Sequence, residues 1–157
     1  MIDWLSNHPQ HSDTLAEWLY RQFSYEYAEQ SLAEWQAEFA QGQRDGSLSS
    51  LIAVDGERLL GSASLAADDL PSRPDLGPWL ACVFVDPVAR GQGLAETLVA
   101  AVCDEARARG HQRLYLHTAE KAAYYARRGW QPLQQFDAWG KRHSLMLREL
   151  TPGTETG

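Results

Sequence analysis

An apolar strand followed by a glycine-rich turn and an amphipathic helix is the sequence feature that most constrains the fold of this chain. Residues 80–85 form an unbroken apolar run, which is typical of a strand covered on both faces. Pro87 ends this strand, and apolar side chains then recur every four residues along 91–109, as on one face of a helix. A strand covered on both faces needs packing partners on each side of its sheet. The segment therefore predicts an α/β fold.

The remaining periodicity predicts a single domain with a mixed central sheet, in the order α, α, β, β, loop, β, α, β, α, β, β. Residues 67–78 contain three prolines and three aspartates and are predicted to form the loop. Further strands are predicted at 50–54, 59–65, 114–117, 130–136 and 143–150, and a short helix at 120–127.

Two capping-box patterns mark the predicted beginnings of the first two helices. Thr14 is followed by Glu17, and Ser31 by Glu34. At this spacing each side chain can bond to a backbone N–H group at the other position. Gly42 is the predicted end of the second helix, because glycine commonly terminates helices.

The length and charge of the chain limit its organisation and its partners. Its 157 residues suit one domain, which we place at 1–150 with a flexible tail at 151–157. The formal charge is −7, from 14 Lys and Arg against 21 Asp and Glu (14 − 21). This balance argues against nonspecific nucleic-acid binding, which depends on clustered basic residues. It favours a cationic small molecule or peptide as partner, although acidity can also serve solubility alone.

The sequence predicts neither a membrane span nor a secretory signal. No apolar run approaches the ~20 residues that a membrane-spanning helix needs, and the N-terminus lacks a basic segment followed by an apolar one. Cys82 and Cys103 each lie in an apolar segment and are predicted to be buried free thiols rather than a bridge. Free thiols suit a reducing compartment, so the predicted location is the cytoplasm.

The turn between the apolar strand and the helix has the features of an anion site. Backbone N–H groups at the start of a helix have no intrahelical partners, and the helix dipole adds partial positive charge there. Gly91 and Gly93 let a ligand approach the backbone closely, and Ala95 keeps the first helical turn slim. The turn therefore indicates a diphosphate site, with an ordinary strand-to-helix turn as the alternative.

Two common phosphate-binding motifs do not fit this turn. The dinucleotide fingerprint requires a third glycine where this chain has Glu96. The ATP-type P-loop requires Gly-Lys-Ser/Thr, whereas Gly93 is followed by Leu94. The spacing therefore excludes both kinds of nucleotide-binding module.

The turn instead resembles the Arg/Gln-x-x-Gly-x-Gly/Ala signature of the GNAT acyltransferase superfamily. The match runs from Arg90 to Ala95, after the Val-x-Pro that ends at Pro87. The segment from Tyr125 to Trp130 resembles the Tyr-x-x-x-Gly-Phe/Trp element of the same family. The interval between the two elements has room for one helix and one strand, as in the family.

The likeness extends beyond these motifs to about residues 3–150. Residues 5–18 and 73–80 resemble a large bacterial branch of the superfamily. The resemblance implies a GNAT-like fold, in which the parallel strands at 80–85 and 114–117 splay apart at their ends. It also implies an acetyl-CoA-dependent N-acetyltransferase, in which a primary amine attacks the thioester directly in a ternary complex.

The resemblance further implies which residues bind acetyl-CoA. The loop would hold the pyrophosphate, and free backbone groups of the apolar strand would pair with pantetheine. No metal is implied. In many members the position of Tyr125 protonates the leaving thiolate, and packing is its alternative role here. The implied cofactor-binding residues are Val83, Phe84, Val85, Arg90, Gly91, Gln92, Gly93, Leu94 and Ala95.

The base that takes a proton from the amine is less evident. Many members place a carboxylate near the start of the apolar strand, but residues 79–81 contain none. His117, at the end of the next strand, is the candidate base, because a histidine pKa near ~6.5 suits that role. A surface or structural histidine is the alternative. The missing carboxylate also leaves open a non-catalytic acyl-CoA-binding regulatory domain.

Acidic residues in segments that border the expected acceptor entrance predict a cationic amine, which could be a small molecule or a peptide. Polyamine, aminoglycoside, amino acid and peptide N-terminus all stay open. Neither nucleic acid nor membrane is an expected partner, and the sequence leaves a homodimer open. The acidic residues are Glu26, Glu29, Asp68 and Asp69.

Overall fold

One seven-stranded mixed sheet forms the centre of the computed structural model, which describes residues 1–26 and 29–150. The tail predicted at 151–157 lies outside the described residues. The strands are β1 (Ile2–Trp4), β2 (Leu48–Asp55), β3 (Arg58–Ala66), β4 (Trp79–Val85), β5 (Arg113–Thr118), β6 (Gln131–Ala138) and β7 (Lys141–Glu149). Their order across the sheet is β1-β2-β3-β4-β5-β7-β6, and β4 and β5 form the parallel pair.

Helices cover both faces of this sheet. The helices α1 (Ser12–Gln22) and α2 (Leu32–Asp45) pack on one face, and α3 (Leu94–Ala108) and α4 (Ala122–Ala126) contribute to the core on the other. Among the residues that the structure describes, no helix is long and apolar enough to cross a membrane. The predicted mixed α/β architecture is confirmed.

Strand β2 contributes side chains to the cores on both faces of the sheet. Leu51 and Ala53 belong to the core that contains α3, whereas Ile52 and Val54 belong to the core that contains α1 and α2. Successive side chains of a strand point to opposite faces of the sheet. An apolar run without alternation therefore places the strand between two helical layers.

The helix boundaries confirm one capping box and correct two other predictions. Ser31 Oγ accepts a hydrogen bond from the Glu34 backbone N–H (3.1 Å), and Glu34 Oε1 accepts one from the Ser31 N–H (2.8 Å), as predicted. The box at Thr14 is wrong, because α1 already begins at Ser12 without a side-chain cap. Gly42 does not end α2, which continues to a left-handed Gly46 (φ 81°).

Gly42 is instead explained by packing. A Cβ atom at this position would lie 3.0 Å from the Cβ of Leu48, at the beginning of β2. The glycine lets the helix backbone approach the strand closely. In the sequence, a glycine required for close packing looks the same as a glycine that ends a helix. Only the position of the neighbouring strand distinguishes these two roles.

The parallel strands β4 and β5 separate soon after they meet, as expected from the splayed arrangement. Within the described residues, their register pairs only Trp79 with Tyr115. A bulge in β4 accompanies the separation: Cys82 has a left-handed φ of 55°, and its carbonyl accepts a 2.8 Å hydrogen bond from the buried Ser62 hydroxyl. Because a bulge bends its strand, the edge of β4 beyond it faces an open gap.

Strand β3 needs a glycine where it passes the end of β4. A Cβ atom on Gly61 would lie 2.7 Å from the carbonyl oxygen of Phe84, which is closer than van der Waals contact allows. We expect Gly61→Ala to lower the free energy of unfolding by about 1–3 kcal/mol, because backbone must move to admit the methyl group. Urea unfolding measures the change. An unaltered midpoint would show that β3 and β4 move apart to admit the methyl group without loss of stability.

Candidate active site

Two cavities meet where β4 and β5 diverge. The larger, of about 490 Å³, surrounds the loop before α3 and is named here the glycine-loop cavity. The smaller, of about 280 Å³, lies between the end of α1, the loop before β4, β5 and β7, and is named the acid-lined cavity. Five residues line both cavities and form their junction: Gln22, Val83, Glu120, Lys121 and Tyr125.

The glycine-loop cavity contains most of the residues that the sequence assigned to the cofactor. Eight of the nine line its wall, and Gln92 does not. Gln92 is exposed on the loop. The eight lining residues are Val83, Phe84, Val85, Arg90, Gly91, Gly93, Leu94 and Ala95.

The loop itself has the backbone conformation of an anion cradle. Gly91 (φ 83°) and Gly93 (φ 74°) are both left-handed, and Gly93 is the N-cap residue that immediately precedes α3. A Cβ atom on Gly91 would meet open space, and one on Gly93 only the Glu96 carboxylate at 4.0 Å. The glycines are therefore required by backbone conformation and not by crowding. The first backbone N–H groups of α3 have no intrahelical acceptors and border the cavity.

Arg90 connects the loop to the strand. Its Nε donates a 2.9 Å hydrogen bond to the carbonyl oxygen of Val85, and its guanidinium carbon lies 5.7 Å from the centre of the Phe84 ring. These contacts hold the loop against the end of β4. They place a positive charge on the wall of the cavity where an anion would lie.

Tyr125 lies at the junction of the two cavities, in the helix α4. Its side chain is buried, and burial raises the pKa of the phenol to about 12. The phenol is therefore protonated at neutral pH and can donate a proton. The adjacent Tyr124 packs against the core, with the Arg128 guanidinium over its ring, and it also lines the glycine-loop cavity.

His117 lines the acid-lined cavity, and its side chain is only 3% exposed. Its Nε2 lies 3.1 Å from Asp69 Oδ2, and its Nδ1 lies 3.2 Å from Nδ1 of His143. Burial lowers the pKa of His117, but the carboxylates of Asp69 and Glu26 outweigh burial and raise it overall. Both ring nitrogens therefore have protein neighbours, and the nearby carboxylates stabilise the charged form of the ring.

His143 was not identified from the sequence. It is buried on β7, its ring stacks on Phe136 with the centres 5.2 Å apart, and burial together with the charge of His117 lowers its pKa. A neutral His143 can accept a hydrogen bond at Nδ1 from a charged His117. No motif surrounds His143 in the sequence, and only the pairing of β5 with β7 brings the two rings together.

Glu26 contributes a second carboxylate to the acid-lined cavity. It follows α1, is half-buried, and has a pKa raised to about 7, mainly because burial disfavours its charged form. The positive charge of His117 opposes that rise. The sequence placed Glu26 at the acceptor entrance but gave no sign of its burial, and burial is what changes its chemistry.

The four acidic residues expected at the acceptor entrance divide into two pairs. Glu26 and Asp69 line the acid-lined cavity, whereas Glu29 and Asp68 are exposed and do not. Two lysines, at 121 and 141, also line this cavity. Residues 1–26 and 29–150 contain no group of three or more His, Cys, Asp or Glu side chains arranged to hold a metal ion.

Both cysteines are free, as predicted. Cys103 is buried on α3, as predicted, whereas Cys82 is only half-buried and lines the acid-lined cavity. Burial raises the pKa of the Cys82 thiol, and nearby carboxylates raise it further. The thiol is therefore protonated at neutral pH and is a poor nucleophile.

Comparison with known proteins gives one family match. The family model described as "Acetyltransferase (GNAT) family" matches residues 12–130. No curated protein matches the chain by sequence.

Solved structures of similar fold are numerous. An aminoglycoside 6'-acetyltransferase type Ii has a TM-score of 0.75 at 20% identity, with 97% of this chain and 98% of that chain covered. An aminoglycoside 6'-N-acetyltransferase complexed with coenzyme A has a TM-score of 0.74 at 19% identity, with 99% of each chain covered. An N-acetyltransferase from Staphylococcus aureus Mu50 has a TM-score of 0.73 at 20% identity, with 96% and 98% covered. At these identities the likeness is one of fold.

Proposed function

Because this chain belongs to the GNAT family of acetyltransferases, we propose that it transfers an acetyl group from acetyl-CoA to a primary amine by direct attack in a ternary complex. The observation that carries the proposal is the junction of the two cavities at Tyr125. A thioester held in one cavity and an amine held in the other would meet there. No covalent enzyme intermediate is then needed.

The glycine-loop cavity suits acetyl-CoA. We assign the pyrophosphate to the backbone N–H groups of the loop from Arg90 to Ala95, where the dipole of α3 adds positive charge. The pantetheine would lie along Val83, Phe84 and Val85, on the edge of β4 that β5 leaves unpaired. One structure of similar fold is a complex with coenzyme A, which supports this assignment.

The acid-lined cavity suits the acceptor. Glu26 and Asp69 can attract an ammonium group, and aromatic side chains such as Tyr25 can pack against its carbon chain. Two of the structures of similar fold are aminoglycoside acetyltransferases, whose acceptors are amines. We therefore propose a cationic small-molecule or peptide amine as acceptor. The free thiols Cys82 and Cys103 are consistent with a cytoplasmic location.

The proposed reaction requires three proton movements. The ammonium loses a proton so that the nitrogen lone pair can attack the thioester carbonyl. The C–N bond forms, the C–S bond breaks, and the phenol of Tyr125 gives its proton to the departing thiolate. The new amide nitrogen then gives its extra proton to the phenolate of Tyr125, which restores the phenol. His117, held by Asp69, lies in the cavity where the first proton leaves.

We expect thiol release from acetyl-CoA to depend on a primary amine when spermidine, kanamycin A, tyramine and an Ala-initiated tetrapeptide are offered. The best acceptor should carry positive charge, and its kcat/KM should fall as salt rises from 50 to 500 mM, because exposed charges are screened over ~8–10 Å at physiological ionic strength. Steady-state rates at matched pH measure this dependence.

Different outcomes separate the parts of this proposal. Acetyl-CoA binding without transfer to any amine would favour a non-catalytic acyl-CoA-binding domain. A flat salt profile, or a best acceptor with net negative charge, would contradict the cationic acceptor and leave the acetyltransferase proposal intact.

A further inference from the structure

We propose that Glu26 is the catalytic base of this protein: its carboxylate contacts the acceptor ammonium and takes the proton that must leave before the nitrogen attacks. This inference rests on the proposed function and deepens it. It also assigns His117 a different role, namely to position the side chains around Glu26 and to contribute positive charge near its carboxylate.

The surroundings of His117 argue against direct contact with the amine. Its side chain is 3% exposed, and its two nitrogens lie 3.1 Å from Asp69 and 3.2 Å from His143. Its ring also stacks on Trp139, with the ring centres 5.9 Å apart. A substrate nitrogen would have to displace one of these neighbours to reach the ring.

The placement of Glu26 is different. It is half-buried on the wall of the acid-lined cavity, in the segment that follows α1, opposite β5. Gln22, one helical turn earlier, lines both cavities, so this segment borders the junction at Tyr125. A small primary amine bound against Glu26 would have its nitrogen directed along the cavity toward the thioester.

Titratable groups from several elements surround Glu26. The titratable groups that face the same cavity are Tyr25 on its own segment, Asp69 from the loop before β4, Cys82 from β4, His117 from β5, Glu120 and Lys121 from the loop after β5, Tyr125 from α4, and Lys141 and His143 from β7. Burial raises the pKa of Glu26, His117 lowers it, and Asp69 raises it, with the result near 7.

A carboxylate in this state can serve as a base near neutral pH. Base catalysis is most effective when the pKa of the base lies close to the working pH. Below pH 7 the Glu26 carboxyl is mostly protonated and cannot accept a proton, and above pH 7 it is mostly ionised. Activity should therefore rise with pH through the region near 7.

The proton balance is complete without another reactant. The ammonium gives one proton to the Glu26 carboxylate, which forms a neutral carboxylic acid, and the free amine attacks the thioester. Once product leaves, the carboxylic acid releases its proton to water. The net reaction converts an ammonium ion and acetyl-CoA into an acetamide, free CoA thiol and one proton.

The test compares Glu26→Gln with Glu29→Gln, an isosteric change at an exposed carboxylate three residues away that does not line the cavity. The probes are acetyl-CoA and the best acceptor among spermidine, kanamycin A, tyramine and the Ala-initiated tetrapeptide. We expect Glu26→Gln to lower kcat at pH 8 by about 100-fold or more and to remove the rise in kcat/KM near pH 7. Glu29→Gln should retain both, and all three proteins should bind acetyl-CoA equally in calorimetry.

Two results would overturn the assignment of Glu26. One is a Glu26→Gln variant whose kcat stays within twofold of the parent with the rise near pH 7 intact. The other is a variant with raised KM and unchanged kcat, which would make Glu26 a binding carboxylate only. A parent protein that binds acetyl-CoA but acetylates none of the four amines would overturn the proposed function, and the assignment of the base with it.

Discussion

Replacing Gly93 by Asp should weaken acetyl-CoA binding by at least about 100-fold, or about 2.8 kcal/mol. Gly93 is the N-cap residue of α3, with a φ of 74°, and it lines the glycine-loop cavity. The new carboxylate would occupy the space assigned to the pyrophosphate and would repel its charge. It would also lie near Glu96. Isothermal titration calorimetry with acetyl-CoA measures the loss.

Gly110→Asp is the matched control for this change. Gly110 also has a left-handed backbone (φ 90°) with open space where a Cβ would be, but it lies at the opposite end of α3. The 15 residues of that helix separate the two sites by about 22 Å. Aspartate tolerates this backbone conformation, so both variants should fold. Equal affinity for acetyl-CoA in Gly93→Asp and Gly110→Asp would remove the anion cradle from the proposal.

Tyr125→Phe should lower kcat by about 100-fold or more while the affinity for acetyl-CoA changes little. The change removes the hydroxyl and keeps the ring, which packs edge-on against Trp130 with the ring centres 5.9 Å apart. Because the pKa of Tyr125 is raised to about 12, the phenol is protonated throughout the range from pH 6 to pH 9. The loss should therefore be the same at each pH in that range.

Tyr124→Phe controls for the loss of a phenol in the same helix. Tyr124 lines the glycine-loop cavity but not the acid-lined cavity, so it is not one of the residues at their junction. We expect its kcat to stay within a few-fold of the parent. A Tyr125→Phe variant with parental kcat would show that water protonates the thiolate and that Tyr125 serves packing alone.

Features that depend on neighbouring residues in the chain could be predicted from the sequence. The loop from Arg90 to Ala95 is one example, because its glycines, its arginine and the start of α3 are contiguous and their chemistry depends on local backbone geometry. The capping box of Ser31 and Glu34 is another, since its two hydrogen bonds span three residues. The family followed from such local patterns, spaced along the chain by one helix and one strand.

Features that depend on distant contacts were decided by the tertiary structure. Gly42 has the signal of a helix terminator, yet it lies inside α2, because only the approach of Leu48 requires a residue without a side chain. Thr14 has the signal of a cap, yet α1 begins two residues earlier. At Gly42 a local preference of about 1 kcal/mol yields to the packing of α2 against β2.

The acid-lined cavity is the strongest case of this kind. Glu26, Asp69, His117 and His143 come from four separate segments and meet only because the sheet pairs β5 with β7 and the segment after α1 covers them. The sequence identified the histidine of β5 and the nearby acids, but not which acids would be buried. Burial raises the pKa of Glu26 toward neutrality, and the nearby carboxylates raise the pKa of His117. The sequence by itself predicted the loop that we assign to the cofactor, whereas the fold decided which carboxylate has a pKa near neutrality, because desolvation and distance between charges exist only once the segments are packed together.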